Sequence, residues 1–306
     1  MRESSHPQGK AGELAAHVGS LPLLPSVVMR VLALDSDSDR YFDELLAVVA
    51  QDPTLAVRLI RLANSAMSAP GKPIVTLLQA AIRVGTRECA GLVTALAVSR
   101  VFIPRTQGQR DLWRHALQAA VCARTIVSRI SGSRYTPDQA YLAGLLHDIG
   151  RFVMFESASA DLSLVDETHW QTPQQLLDAE QQLLGYDHVH LGDLVCRRWA
   201  IPDAIADIVA LHHTYALPDE VRRGGLGELI RVVQMADLVS VLMMSKPDIV
   251  EGEPAAVAEE MERSCVRPEW NKPPIAPILL AERIREMYHE AETVTEGLIS
   301  AHTLPK

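Results

Sequence analysis

Apolar residues recur three and four positions apart along nearly the whole chain, and alternating strand patterns are scarce. That period predicts a succession of amphipathic helices, so the fold class read from the sequence is all-α. Residues 1–20 read as a loose leader with room for one helix. From LPLLP (21–25) the chain enters helices; Pro25 and Ser26 open the first, and the solvated DSDSD loop (35–39) closes it. Asp52-Pro53 starts DPTLAVRLIRLANSA, with Leu55, Leu59 and Leu62 on one stripe and Arg58 and Arg61 on a solvated face. A helix pair fills roughly 74–103 and ends before Pro104.

The segment PRTQGQR (104–110) is a polar break, and a subdomain boundary is expected there. Thr136-Pro137-Asp138-Gln139 gives an N-cap threonine, a proline at the first helical position and a glutamine at the third. Thr172-Pro173-Gln174-Gln175 repeats that signal, and Gly185 stops the helix it starts. A helix from about Leu226 runs to Met244, followed by an acidic stretch, the joint NKPPIAP (271–277) and a last amphipathic helix. The expected organisation is two helical subdomains, 21–103 and 104–245, with a C-terminal helical extension over 246–306.

Composition narrows the function classes. At 306 residues and 48% apolar, the chain can bury a sizeable core. A net charge of −9 argues against broad electrostatic binding to nucleic acid or anionic lipid. No stretch has the apolar length of a membrane span, and MRESSHPQGK lacks the apolar core of a secretory signal. Cys89, Cys122, Cys196 and Cys265 are scattered without a CxxC pair, and read as small buried hydrophobes in a reducing compartment. A cytoplasmic protein is expected.

The candidate chemistry is a series of side chains able to hold metal. Seven of the eleven histidines lie between His115 and His213. His115 shares a helical face with Leu112, Ala119, Cys122 and Ile126. His147 stacks with Ala140, Ala143 and Gly144, whose small side chains leave room at the helix surface; Asp148 follows, and Ile149-Gly150 is expected to end that helix. His188 aligns with Leu191, Gly192, Val195 and Trp199, and His212, followed by His213, aligns with Ile205, Ile208 and Val209. Asp237 sits between Val233 and Val241 on the stripe of Leu229 and Ile230, where an uncompensated carboxylate would be costly. One inward histidine is more often a hydrogen-bonded core residue than a ligand. Several of them together with an inward aspartate argue for a shared site, and imidazole with carboxylate suits iron, manganese, zinc or nickel. The set could hold one or two ions, or none. His190 reads as exposed.

LAGLLHDIGR (142–151) resembles the His-Asp motif of HD-domain metal-dependent phosphohydrolases, with Trp113-Arg114-His115 and MADLVS (235–240) matching the flanking histidine and closing aspartate. LPLLPSVVMRVLAL, QDPTLAVRLIRLANSA, PIVTLLQAAIRVGTRECAGLVTALAV and GYDHVHLGDLVCRRWAIPDAIADIVALHH resemble the HDOD domain, the HD-related output domain of bacterial signalling proteins. The resemblance spans about 20–245. It implies an N-terminal helical bundle packed on an HD-like α-domain, and a regulatory module that binds a signalling protein partner or a small ligand. By the same resemblance His115, His147, Asp148 and Asp237 match the basic HD metal set. His188, His212 and His213 match the extra histidines of the HD-GYP subclass, which hydrolyses cyclic di-GMP. Arg151 stands where that subclass typically has lysine, and HHTYALPDEVRRGG contains no GYP motif. The alternative function is a metal-dependent phosphohydrolase acting on a nucleotide or phosphodiester, with Arg151 contacting phosphate.

Overall fold

The computed structural model describes residues 19, 26–34, 38–64, 74–157, 162, 165 and 172–302, and it is all-α, with no strand among them. The expected leader (1–20), apart from residue 19, and part of the DSDSD loop lie outside the described residues.

Five helices come first: α1 (Ser26–Leu32), α2 (Tyr41–Ala50), α3 (Pro53–Ala63), α4 (Leu77–Val84) and α5 (Thr86–Val98). Leu55 and Leu59 are fully buried, as their spacing predicted, while the side chains of Arg61 and Leu62 lie outside the described residues. Arg58 departs from the sequence reading: it is half-buried and donates to Ser99 Oγ at 3.4 Å.

The long helix α6 (Gln107–Val127) organises the rest of the molecule. It starts inside the polar break, because Thr106 and Gln109 form a reciprocal capping box that closes its first turn. Every residue from Ala116 to Ala123 is buried, so the helix is enclosed on all sides. It packs against α7 (Pro137–Leu146), α13 (Leu226–Ser245) and α16 (Ile284–His302). The last helix is also tied to α6 by Arg114 to Glu292 at 2.7 Å and by Arg124 to Glu290. The C-terminal extension therefore folds back onto the central helix. One continuous apolar core runs from Val27 to Leu298.

Helix α7 begins at the Thr136–Gln139 capping box with Pro137 in its first turn. The room expected beside His147 is filled by α6: a Cβ on Gly144 would lie 2.8 Å from the backbone of Ala119 and Ala120. The chain also does not stop at Ile149-Gly150. Helix α7 ends at Leu146, His147 and Asp148 form a two-residue break, and α8 (Ile149–Ser157) starts directly after it. Asp148 O accepts from Arg151 N at 2.9 Å, closing the first turn of α8.

The remaining helices are α9 (Pro173–Leu184), α10 (His188–Arg198), α11 (Asp203–Leu211), the short α12 (Asp219–Arg223), a 3-10 turn (Pro247–Glu251), α14 (Pro254–Cys265) and α15 (Pro277–Ala281). Thr172 caps α9 and Gly185 closes it. No helix among the described residues is long and apolar enough to cross a membrane. The four cysteines are buried and form no disulfide among the described residues.

Helix α8 docks on α10 through Gly150, where an added Cβ would lie 1.9 Å from His188 O, a backbone atom that cannot swing aside. Gly150→Ala is therefore expected to lower stability by about 2–3 kcal/mol. Chemical denaturation measures this, and wild-type stability in the variant would show that the two backbones are not in tight contact.

Candidate metal centre

Six segments of chain deliver the site. His115 projects from the middle of α6, and His147 and Asp148 occupy the break between α7 and α8. His188 opens α10, where Asp187 caps the helix. His212 and His213 follow the last turn of α11, Asp237 comes from the centre of α13, and Arg151 lies in the first turn of α8. At the break, His147 and Asp148 both face inward, and both are buried.

All seven expected ligands come together. His147, Asp148, His188, His212 and Asp237 are buried, and His115 and His213 keep only 13% and 11% side-chain exposure. Six of them form two groups that share one residue: His115, His147 and Asp148 on one side, and Asp148, His188, His212 and His213 on the other. The ligand atoms within each group lie within 4.8 Å of one another. The two oxygens of Asp148 divide between the groups. Oδ2 lies 3.7 Å from His115 Nε2 and 3.9 Å from His147 Nε2, while Oδ1 lies 3.4 Å from His188 Nε2 and 3.6 Å from His212 Nε2. Asp237 divides in the same way, with Oδ1 3.3 Å from His115 Nε2 and Oδ2 3.9 Å from His213 Nδ1.

The outer nitrogens of the rings fix which inner atoms carry lone pairs. His147 Nδ1 lies 2.7 Å from Gly144 O, and His212 Nδ1 lies 2.8 Å from Val209 O. A carbonyl can only accept, so both Nδ1 atoms donate, and each neutral ring is left with its lone pair on Nε2. His188 Nδ1 meets Glu180 Oε2 at 2.6 Å with the same result. His115 Nδ1 lies 3.0 Å from Ser240 Oγ, whose single proton is directed to Gln118 Oε1 at 2.9 Å and the backbone O of His115 at 3.2 Å.

The inner atoms then face each other in pairs. His115 and His147 bring their Nε2 atoms to 3.2 Å, and His188 and His212 bring theirs to 3.3 Å. Two bare lone pairs at that separation repel unless a proton or a cation sits between them. Bonds to a metal of about 2.1 Å place neighbouring ligand nitrogens roughly 3.0–3.4 Å apart. The donor set therefore fits a first-row transition ion in each group. His213 Nδ1 adds to the fit: it is buried and has no hydrogen-bond partner among the described residues.

Electrostatics point the same way. Burial opposes ionisation of Asp148 and Asp237, yet the surrounding histidines hold both carboxyls well below the usual carboxylate range. Burial pushes His147 down to about 4 and, with His212 and His188 nearby, holds His213 well below the ordinary histidine value. Burial also works against charged His115, but its hydrogen bond to Asp237 and that carboxylate's charge raise it. In His188 burial is likewise outweighed, here by Glu180 and Asp148, so its pKa is raised.

Three contributors escaped the sequence reading. Glu180 orients His188 through both Nδ1 and the backbone N–H, the latter at 2.9 Å. Ser240 and Gln118 orient His115. A signal for Glu180 was present, since Leu176, Glu180 and Leu184 form one buried stripe of α9 with a carboxylate in its middle. Arg151 places Nε 3.8 Å from Glu180 Oε1. His190 is exposed, as expected. Val241, expected inward beside Asp237, is 36% exposed, so the buried stripe of α13 stops short of it.

A model of the HDOD domain matches residues 21–215. An uncharacterized protein of Treponema pallidum is 26% identical over 207 residues, covering 66% of this chain and 39% of that protein. The chain thus spans well under half the length of that relative. An HDOD domain protein of unknown function from Geobacter sulfurreducens has a similar structure, with 25% identity, a TM-score of 0.69, and coverage of 94% of this chain and 97% of that one. A protein of Marinobacter aquaeolei, named as a candidate signal transduction protein, shares the fold with a TM-score of 0.66 and 20% identity, over 96% of this chain and 66% of that one.

Metal ligation needs neutral imidazoles, so an incoming ion must displace the protons that His115 and His188 retain. A raised pKa keeps a proton on the ring to higher pH, so competition is strongest in acid. Affinity for Mn²⁺ is expected to rise with pH between about 6 and 8, with release of about one to two protons per chain near pH 6.5. Titration calorimetry in buffers of different ionisation heat measures this. A pH-independent affinity without proton release would contradict the assignment.

Proposed function

This chain belongs to the HDOD domain family, and on that footing we propose that it is a regulatory output module of bacterial signal transduction. It acts in the cytoplasm by binding a signalling partner, and a two-ion centre clamps the helices that shape its surface. The buried cysteines, with no disulfide among the described residues, suit a reducing compartment. The observation that carries the clamp is the division of Asp148 between two histidine groups drawn from separate helices. His115, His147, Asp148 and Asp237 would hold one ion, and Asp148, His188, His212 and His213 the other, with Asp237 Oδ2 nearby. Bound ions would supply the positive charge that the enclosed carboxylates call for. The near-complete burial of the ligands favours holding the fold over turning over a bulky substrate.

A second reading is a metal-dependent phosphohydrolase, and the same sharing of Asp148 favours it, because paired ions are a common device for phosphoester cleavage. Such a centre supplies a water of low pKa and stabilises charge on phosphorus oxygens. The chain itself would position the substrate on the side of His115 and His213, the least buried ligands, with Arg151 as phosphate contact once it leaves Glu180.

One set of samples separates the readings. Chelation is expected to lower Tm by about 5–10 °C, with recovery on adding Mn²⁺ or Fe²⁺, and Asp237→Ala should lose most of that difference. An unchanged Tm would remove the clamp. Turnover by the reloaded protein of phosphomonoesters or cyclic dinucleotides, abolished in Asp148→Asn, would establish the hydrolase; no turnover with metal bound would leave the regulatory module.

A further inference from the structure

We propose that a cationic groove beside the N-terminal half of α13 binds the phosphate chain of a small nucleotide, with its base laid against Pro273 and Pro274. The groove has a volume of about 340 Å³, within the range of small-molecule sites, and is too small for a nucleic-acid duplex. Four stretches of chain converge on it: the α6–α7 connection, the end of α12 with its following glycines, α13, and the proline-rich joint before α15.

The charge on its walls runs against that of the whole molecule. Arg134, Arg222, Arg223, Arg231 and Lys272 line it, in a chain whose net charge is −9. Glu228 is the carboxylate in the lining, and it accepts a hydrogen bond from Ser133 Oγ at 2.6 Å. Arg222 and Arg223 share one carboxylate, Asp219, the latter at 3.0 Å. Among the described residues two acidic groups therefore answer five cations, and the surplus is concentrated in a concavity. Guanidinium forks match phosphate oxygens in pairs, and a surplus of several cations suits the multiple charges of a phosphate chain better than the single charge of a monocarboxylate. The position of Arg134 is set by Gly225, whose missing Cβ leaves the space that Arg134 Cδ and Nη1 approach; an added Cβ would be 3.0 and 3.3 Å from them.

The apolar part of the lining supplies the rest of the ligand. Ile130, Pro273 and Pro274 are the apolar side chains of the lining, with few donors or acceptors, the kind of group on which a base or ribose packs. Helix α13 also connects this groove to the metal centre. Arg231 and Asp237 are six residues apart on it, about 9 Å along the axis, so a ligand here would press on the helix that holds the closing aspartate.

The proposal does not rest on the metal reading, and the test is done with EDTA present to keep the two apart. Titration calorimetry of the full chain with ATP and GTP, at about 0.15 M salt, is expected to show saturable binding to one site with Kd below about 1 mM. Arg134→Glu combined with Arg231→Glu should weaken it at least about tenfold, with circular dichroism reporting the fold; Lys272→Gln, an exposed change, should weaken it by a smaller factor. Absence of saturable binding, or wild-type affinity in the folded double variant, would overturn the site. Inorganic triphosphate binding as tightly as ATP would overturn the nucleotide assignment, because the proline wall would then contribute nothing.

Discussion

Asp148 and Asp237 are ionised carboxylates enclosed by helices, and the structure around them follows from what that enclosure requires. An enclosed charge is tolerated only when opposite charge or hydrogen-bond donors compensate it. Here the groups at hand are imidazoles whose outer nitrogens are already committed to Gly144 O, Val209 O, Glu180 and Ser240. Their inner nitrogens hold lone pairs, which do not compensate a carboxylate. His115 and His188 can each take a proton, which would match the two carboxylates in charge, while burial holds His147 neutral. Cations between the paired Nε2 atoms would serve the carboxylates and the lone pairs together.

That requirement explains features of the fold that packing alone would not. His147 and Asp148 lie at the break between α7 and α8, in a stretch from Ala140 to Gly150 that is buried throughout, so both side chains are enclosed. The fold also brings backbones very close where side chains must reach the centre. Gly144 lets α7 lie directly on α6, which brings His147 to His115, and Gly150 lets α8 lie on the start of α10, which brings Asp148 to His188. The ligands are thus held by rigid elements, and their orientation is set by a surrounding layer of hydrogen bonds.

The helical class and several helix starts were legible in the sequence because they are local. Thr106, Thr136 and Thr172 cap the helices that follow them, the latter two as read, and Leu55 and Leu59 are buried by spacing alone. The inward direction of His115, His188 and Asp237 was legible for the same reason. That they meet at one point was not a property of any single helix, and entered through the resemblance of LAGLLHDIGR and its flanking motifs to a known family. What remained hidden was mostly non-local. Ile149-Gly150 carries a stop signal in isolation, and α7 does end just before it, yet a new helix opens at Ile149 whose glycine packs against His188 O. The space beside His147 was read correctly as small side chains and wrongly as room, since only the tertiary fold puts α6 there. Glu180 was available as a carboxylate on an apolar stripe, the same kind of anomaly that singled out Asp237.

Whether the two histidine groups around Asp148 hold metal is measured most directly by elemental analysis of untagged protein, with Asp148→Asn prepared alongside. About two transition-metal ions per wild-type chain are expected, lost together in the variant because both groups share that carboxylate. A folded wild-type chain that contains no transition metal and takes none up from solution would contradict that expectation.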